Sequence, residues 1–226
     1  DGFRRVHLDL PRKILGACQH NKVPRFLHMS ALNADANTGS SHYLRSKGEG
    51  ENQLHTFAGS CAITSFRPSV IFGPGDSFFN RFASLLKLGP GFFPLACGQA
   101  RFAPVFVGDV VDAFVNALHD YATYGKRYDL CGPEVFTLHE LVAYTAQISG
   151  RRTRIIDLPD ILARLQAHIL EHVPGKPFSI DNYNSLKTDS LCDVATRMPT
   201  SISAVVPWYL GRPSQQMDIY RRQTGR

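Results

Sequence analysis

Apolar and polar positions alternate along the chain in two rhythms, and each rhythm predicts a kind of element. In "RRVHLDLPRKILGACQ" the apolar residues Val6, Leu10, Ile14, Leu15 and Cys18 recur at helical spacing. Pro11 inside that run predicts a kink or a later helix start. "VPRFLHMSALNA" is a short apolar run that fits a buried strand ending in a polar loop. "HYLRSKGEGENQLHTFA" returns to the helical period, with Gly48 and Gly50 as weak spots. "CAITSFRPSVIFGPG" is the next strand, stopped by a Gly-Pro-Gly turn. Helix, strand, helix, strand at these lengths predicts a parallel α/β sheet.

After Gly75 the rhythm changes. "FFNRFASLLKLG" predicts an amphipathic helix, and "GPGFFPLACG" an aromatic loop that shapes a pocket, a partner surface or part of the core. "RFAPVFVGDVVDAFVNALHD" reads as a strand running into a helix, with Asp109 as N-cap or first-turn acid. "KRYDLCG" is a short strand, and "TLHELVAYTAQISG" a helix opened by a Thr137/Glu140 capping box and closed by Gly150. "RRTRIIDLP" and "DILARLQAHILEHV" add a strand and an amphipathic helix, for which core packing is the default. From Pro174 onward the pattern is less regular.

Composition narrows the classes. A chain of 226 residues with 43% apolar and 19% charged residues can bury a core, as one large domain or a domain with a small second lobe. No apolar run is long enough to span a membrane, and the first residues lack a signal-peptide pattern. The net charge of +6 is scattered, with small clusters at Arg151–Arg154 and in the tail "RRQTGR", so nucleic acid is not indicated as a partner. Five widely spaced cysteines without a CxxC motif indicate neither a disulfide framework nor zinc, and predict reduced thiols in a reducing compartment. His168 and His172 are four apart on a helix but lack a third ligand, which predicts solvent-facing side chains and no metal site.

Two Tyr-x-x-x-Lys pairs remain, Tyr43/Lys47 and Tyr183/Lys187. Spacing alone does not separate them. The second lies among Asn182, Asn184, Ser185 and Thr188 after a proline-rich stretch, and is expected to be a surface feature. The first follows a strand that ends at Ser30, at the sheet edge where α/β folds place ligands. An ammonium one helical turn from a phenol favours the phenolate and lowers its pKa. A serine hydroxyl can hold a substrate oxygen in line with that phenol. Together the three residues suit proton transfer coupled to hydride transfer.

These residues resemble the Ser–Tyr–Lys set of the short-chain dehydrogenase/reductase superfamily. "FRPSVIFGPGD" is similar to the R-P-x-x-x-(Y/F)-G-P-G segment of its extended, epimerase-like branch. The resemblance implies a Rossmann-like doubly wound parallel sheet with NAD or NADP as cofactor. The part of that sheet carrying the Gly-rich turn is missing from this sequence, so residues are expected to precede Asp1. It assigns residues 1–75, with 100–132 contributing, to the second half of the dinucleotide-binding domain. Residues 76–99 and 133–226 form a small substrate or partner lobe. Tyr43 is then the acid–base, Lys47 the ribose-holding and tuning cation, and Ser30 the orienting hydroxyl. Pro68, Ser69 and Val70 line the cofactor, and Asn80 and Arg101 are the substrate-binding candidates.

A narrower resemblance is to the atypical subgroup that includes the 39-kDa accessory subunit of respiratory complex I and its bacterial relatives. It rests on "VPRFLHMSALNA", "SHYLRSKGEGE", "RFAPVFVGDVVDA" and "LKTDS", and implies a non-catalytic nucleotide-holding subunit with complex I subunits as partners. Nucleotide-sugar epimerases and dehydratases carry R-D-(F/Y)-(V/I)-H-V where this chain has Phe102-Ala103-Pro104-Val105-Phe106-Val107, with Arg101 one place off. The leading expectation is an oxidoreductase or epimerase-type enzyme passing hydride between NAD(P) and an alcohol or carbonyl substrate, because the Ser30, Tyr43 and Lys47 set is intact. The alternatives are a non-catalytic complex I-type subunit or assembly factor and a nucleotide-sugar epimerase or dehydratase. The location they imply is the bacterial cytoplasm or a matrix-like reducing compartment, peripheral to the inner membrane.

Overall fold

The structure, a computed structural model, describes residues 2–88, 91–193 and 197–211. A short helical turn, α1 (Gly2–Arg4), widens into a π-helical stretch (Arg5–Asp9) before α2 (Leu10–His20). Pro11 sits in the first turn of α2, so the predicted kink takes the form of a π-turn just ahead of the missing N–H. Then follow β1 (Arg25–Met29), α3 (His42–Thr56), β2 (Ala62–Pro68), β3 (Ile71–Phe72), α4 (Phe79–Leu88) and β4 (Phe92–Leu95). The chain continues through β5 (Arg101–Phe102), β6 (Val105–Phe106), α5 (Val107–Ala117), β7 (Arg127–Leu130) and β8 (Phe136–Thr137). It ends with α6 (Leu138–Ile148), β9 (Arg154–Asp157), α7 (Asp160–Leu170), α8 (Ile180–Ser185) and α9 (Ile202–Leu210).

The main sheet is parallel, in the order β1–β2–β7. A parallel pair needs a long crossover, and α3 supplies it between β1 and β2. Beyond the sheet lie three small pairs, β3–β6 and β4–β9 parallel and β5–β8 antiparallel. The fold class expected from the sequence, α/β with parallel strands, is the one observed. One apolar cluster, with Phe66, Val105, Val110 and Leu130, lies between the sheet and α5. A larger one, with Phe72, Phe79, Leu86, Leu141, Val142 and Val206, joins α4, α6 and α9. The Thr137/Glu140 capping box forms as expected. Asp109 is a buried first-turn acid that accepts hydrogen bonds from the Thr200 N–H (3.1 Å) and hydroxyl (2.8 Å).

Several expectations are corrected. The reduced-thiol reading fails at Cys131 and Cys192, which are disulfide-bonded across 61 residues of sequence. Ser190 pairs with Phe102 and Ala103, and the Gly132 N–H donates to Ala103 O at 3.1 Å, so residues 102–103 bring the two cysteine segments together, and sequence spacing carries no sign of it. Tyr183 is not a surface residue. It is buried, donates to Asp160 Oδ1 at 2.5 Å, and lies under Lys187 Nζ at 4.6 Å. Helix α7 buries the small side chains Ala163 and Ala167 and leaves Ile161, Leu162, Leu165 and Ile169 exposed, the reverse of the core packing expected of it. The tail "RRQTGR" and Pro213 lie outside the described residues.

Gly48 and Gly50 are close-approach positions rather than weak spots. A Cβ on Gly48 would stand 2.5 Å from Ala36 N, and one on Gly50 1.9 Å from His7 O. A Cβ on Gly16 in α2 would meet nothing within 4 Å. Two helix glycines therefore respond to alanine with opposite signs. Gly50→Ala should destabilise by about 1–3 kcal/mol through overpacking, and Gly16→Ala should stabilise by about 0.5–1 kcal/mol through reduced chain entropy. Urea unfolding of both variants checks this.

Candidate functional site

Parallel pairing with β2 places the end of β1 at the C-terminal edge of the sheet, and Ser30 follows it directly. Its N–H donates to Phe66 O at 2.7 Å, holding the hydroxyl at that edge. The chain then turns into α3, whose N-cap Ser41 accepts from Leu44 N at 3.1 Å. On α3 the residues Tyr43, Lys47, Glu51 and His55 follow one another at four-residue intervals, so they share a face. That face is polar, yet it is turned toward the sheet.

Glu51 is fully buried. Its carboxylate accepts from Arg67 Nε at 3.0 and 3.1 Å and from Arg67 Nη2 at 2.7 Å, and it is also paired with Arg127 Nε. Burial pulls its pKa upward, but the Arg67 hydrogen bonds, helped by Ser30 and Arg127, hold it below the usual glutamate range. Lys47 Nζ donates to Met29 O at 3.0 Å. Burial lowers the Lys47 pKa, with Glu51 opposing. Further along, His28 Nδ1 and His55 Nε2 both meet Ser65 Oγ, at 3.1 and 3.0 Å. Burial, reinforced by Lys47, brings His28 down to about 4.

The open end of this polar layer is a cleft of about 690 Å³. Ser30, Tyr43, Lys47, Pro68, Ser69 and Val70 all line it. From the opposite side α8 contributes Asp181, Asn182 and Ser185. Asp181 also receives the His42 and Tyr43 N–H groups, at 2.6 and 3.1 Å, so the lobe fastens the start of α3. Ser30 Oγ is buried and has no hydrogen bond of good geometry, although Glu51 lies close enough to feel it. Ser69 Oγ donates to Ser190 O at 3.1 Å.

Two of the predicted site residues stand elsewhere. Arg101 is held by Asp189 through Nε (2.9 Å) and Nη2 (2.7 Å), and its side chain is not in the cleft wall. Asn80 lies in the first turn of α4, where its N–H donates to Asp76 Oδ1 at 3.2 Å, and it does not line the cleft either. The expected lowering of the Tyr43 pKa is also not found. Burial pushes the phenol up instead, with its ring edge-on to Phe3 and His7. Glu51 and Asp181 were not singled out from sequence. Extending the four-residue step beyond Lys47 reaches Glu51, whereas nothing in the sequence flags Asp181.

Comparisons with known proteins follow the same lines. Residues 44–141 match the 3-beta hydroxysteroid dehydrogenase/isomerase family. "NADH dehydrogenase [ubiquinone] 1 alpha subcomplex subunit 9, mitochondrial" of Arabidopsis thaliana is 32% identical over 188 residues, covering 78% of this chain and 46% of that protein. The Mus musculus protein of the same name is 36% identical over 157 residues, covering 66% and 39%. The chain thus spans less than half the length of these relatives. Among solved structures, UDP-glucuronic acid 4-epimerase from Bacillus cereus, in complex with UDP-glucuronic acid and NAD, superimposes with a TM-score of 0.63 at 17% identity. That match covers 96% of this chain and 68% of the epimerase chain, and it bears on the fold alone.

Two stability tests come from the polar layer. Glu51→Ala leaves two arginines facing a vacated buried site and should cost about 3 kcal/mol, the low end for a broken buried pair because both arginines reach solvent. His28 has a depressed folded pKa, so the unfolded chain binds more protons between about pH 4 and 6.5 and stability is lost as pH falls through that window. Between pH 7.5 and 5 this amounts to about 2 kcal/mol. His28→Asn should flatten that part of the profile in urea titrations at a series of pH values; an unchanged slope contradicts it.

Proposed function

We propose, from the premise that this chain belongs to the extended, epimerase-like short-chain dehydrogenases/reductases, that the cleft between α3 and α8 holds the nicotinamide–ribose end of NAD(H) or NADP(H). The observation that carries this reading is the convergence of Ser30, Tyr43, Lys47 and the Pro68–Val70 strand end on one cleft. The residues fit such a group. Ser30 Oγ is a buried hydroxyl without a well-placed partner, and Lys47 has three ammonium donors, of which one goes to Met29 O. Lys47 holds the ribose hydroxyls, Ser30 and Tyr43 meet the nicotinamide end, and the backbone of residues 68–70 forms the opposite wall. When bound, the nucleotide supplies hydride chemistry.

The protein as a whole acts, on this reading, as a nucleotide-holding peripheral subunit of a complex I-type assembly, on the matrix side of the membrane in a mitochondrion. The kinship with subunit 9 proteins supports this. No helix among the described residues is long and apolar enough to cross a membrane. A second reading, oxidoreductase turnover on an alcohol or carbonyl, is favoured by the Ser30 hydroxyl sharing the cleft with Tyr43. There Tyr43 Oη would pass a proton to the substrate oxygen that Ser30 orients. A nucleotide-sugar substrate has less support, because Arg101 is engaged with Asp189.

The rate of NADPH release from the full-length native protein separates the two, followed by nucleotide fluorescence. Retention for hours, with Tyr43→Phe leaving nucleotide binding and partner association intact, is expected. Release within seconds, with turnover that collapses in Tyr43→Phe, would overturn the subunit reading in favour of the enzyme. Lys47→Met should weaken nucleotide binding by about tenfold or more through loss of a charge-assisted donor.

A further inference from the structure

We propose that the nucleotide cleft continues into a second, apolar site that takes a single lipid-like chain bearing a carbonyl or hydroxyl group. This rests on the reading of the first cleft as the nucleotide site, and it names the class of ligand that lies beside the nucleotide.

A cavity of about 340 Å³ lies under α4, β4 and α7. Its walls are Phe78, Phe82, Leu85, Phe93, Leu170 and Phe178. It shares Ser77, Phe78, Asn182, Ser185 and Leu186 with the larger cleft, so the two open onto a common wall. Polar side chains in the apolar cavity are already engaged by backbone. Gln166 Nε2 donates to Pro94 O at 3.0 Å, and Arg81 Nη2 to Lys176 O at 3.0 Å and Pro177 O at 2.5 Å. The remaining surface is aromatic and aliphatic, and water has few partners there.

Size and chemistry select the occupant. The volume far exceeds a packing defect in a close-packed interior and lies at the small end of ligand cavities. A sugar or diphosphate would need free donors and cations, and the arginine in this wall donates to carbonyls. A single apolar chain meets both limits. The shared wall carries the polar residues Ser77, Asn182 and Ser185, the last two already bonded through Ser179 N–H to Asn182 Oδ1 at 3.1 Å and Ser185 Oγ to Asp181 O at 3.0 Å. This is the polar end of the cavity, so the oxygen-bearing end of the ligand lies there, facing the cleft with Ser30 and Tyr43, and the chain runs between the phenylalanines.

The test is fluorescence titration of the full-length, nucleotide-loaded protein with cis-parinaric acid, an 18-carbon polyene chain with one carboxyl group. Leu85→Trp narrows the cavity, and Val111→Trp on the exposed face of α5 is the control. The expected result is saturable binding to the wild type, weakened by about tenfold or more in Leu85→Trp and changed by less than about twofold in the control. Nucleotide retention by each protein reports that it is folded, and Leu170→Trp gives the same test if Leu85→Trp does not fold. Equal binding by the wild type and the narrowed variant overturns the proposal. So does a nucleotide-retaining wild type that ignores the probe. Probe binding that depends on Leu85 in a protein without nucleotide affinity keeps the apolar site and removes the nucleotide reading instead.

Discussion

A carboxylate buried out of reach of water stays charged only if the fold brings cations to it, and Glu51 receives them from two strands at once, Arg67 of β2 and Arg127 of β7. Sequence-distant elements are thereby fixed in one register. Helix α3 can neither rotate nor slide without breaking ion pairs in a low-dielectric layer, so Lys47 and Tyr43, one and two turns upstream, are held at the sheet's C-terminal edge. Gly48 and Gly50 serve the same end by letting α3 approach the segment at Asp35 and Ala36 on one side and the His7 backbone on the other. Position in the cleft follows from packing beneath it.

The order of elements was legible in the sequence because apolar spacing reports which face is buried, and here it distinguished strands from helices along most of the chain. Ser30, Tyr43 and Lys47 were legible as a set because a strand end leads into a helix carrying two of them one turn apart. What escaped was set by tertiary contact. Asp181 lies 138 residues from Tyr43 in sequence, and only docking of α8 brings it to the start of α3. Tyr183 and Lys187 repeat the spacing of Tyr43 and Lys47, yet packing turns the tyrosine into the interior against Ala96 and α7. The Cys131–Cys192 bond was hidden for the same reason. Periodicity identified the apolar side of α7 but did not reveal that the helix would bury its alanines and expose its larger side chains.

Electrostatics and shape divide the molecule into two kinds of surface around one opening. On the sheet side lies a polar layer in which Arg67 and Arg127 share the Glu51 carboxylate beside Lys47, His28 and His55. On the lobe side lie phenylalanines and leucines. Helix α8 belongs to both, fastening α3 through Asp181 and lining the cleft with Asn182 and Ser185.

The nucleotide content of the full-length protein as purified, measured by acid extraction and chromatography, tests the central claim most directly. The account predicts NAD(H) or NADP(H) approaching one molecule per chain, displaced or lost when Lys47 is replaced. A folded protein that carries no nicotinamide nucleotide and takes none up when it is supplied would contradict it.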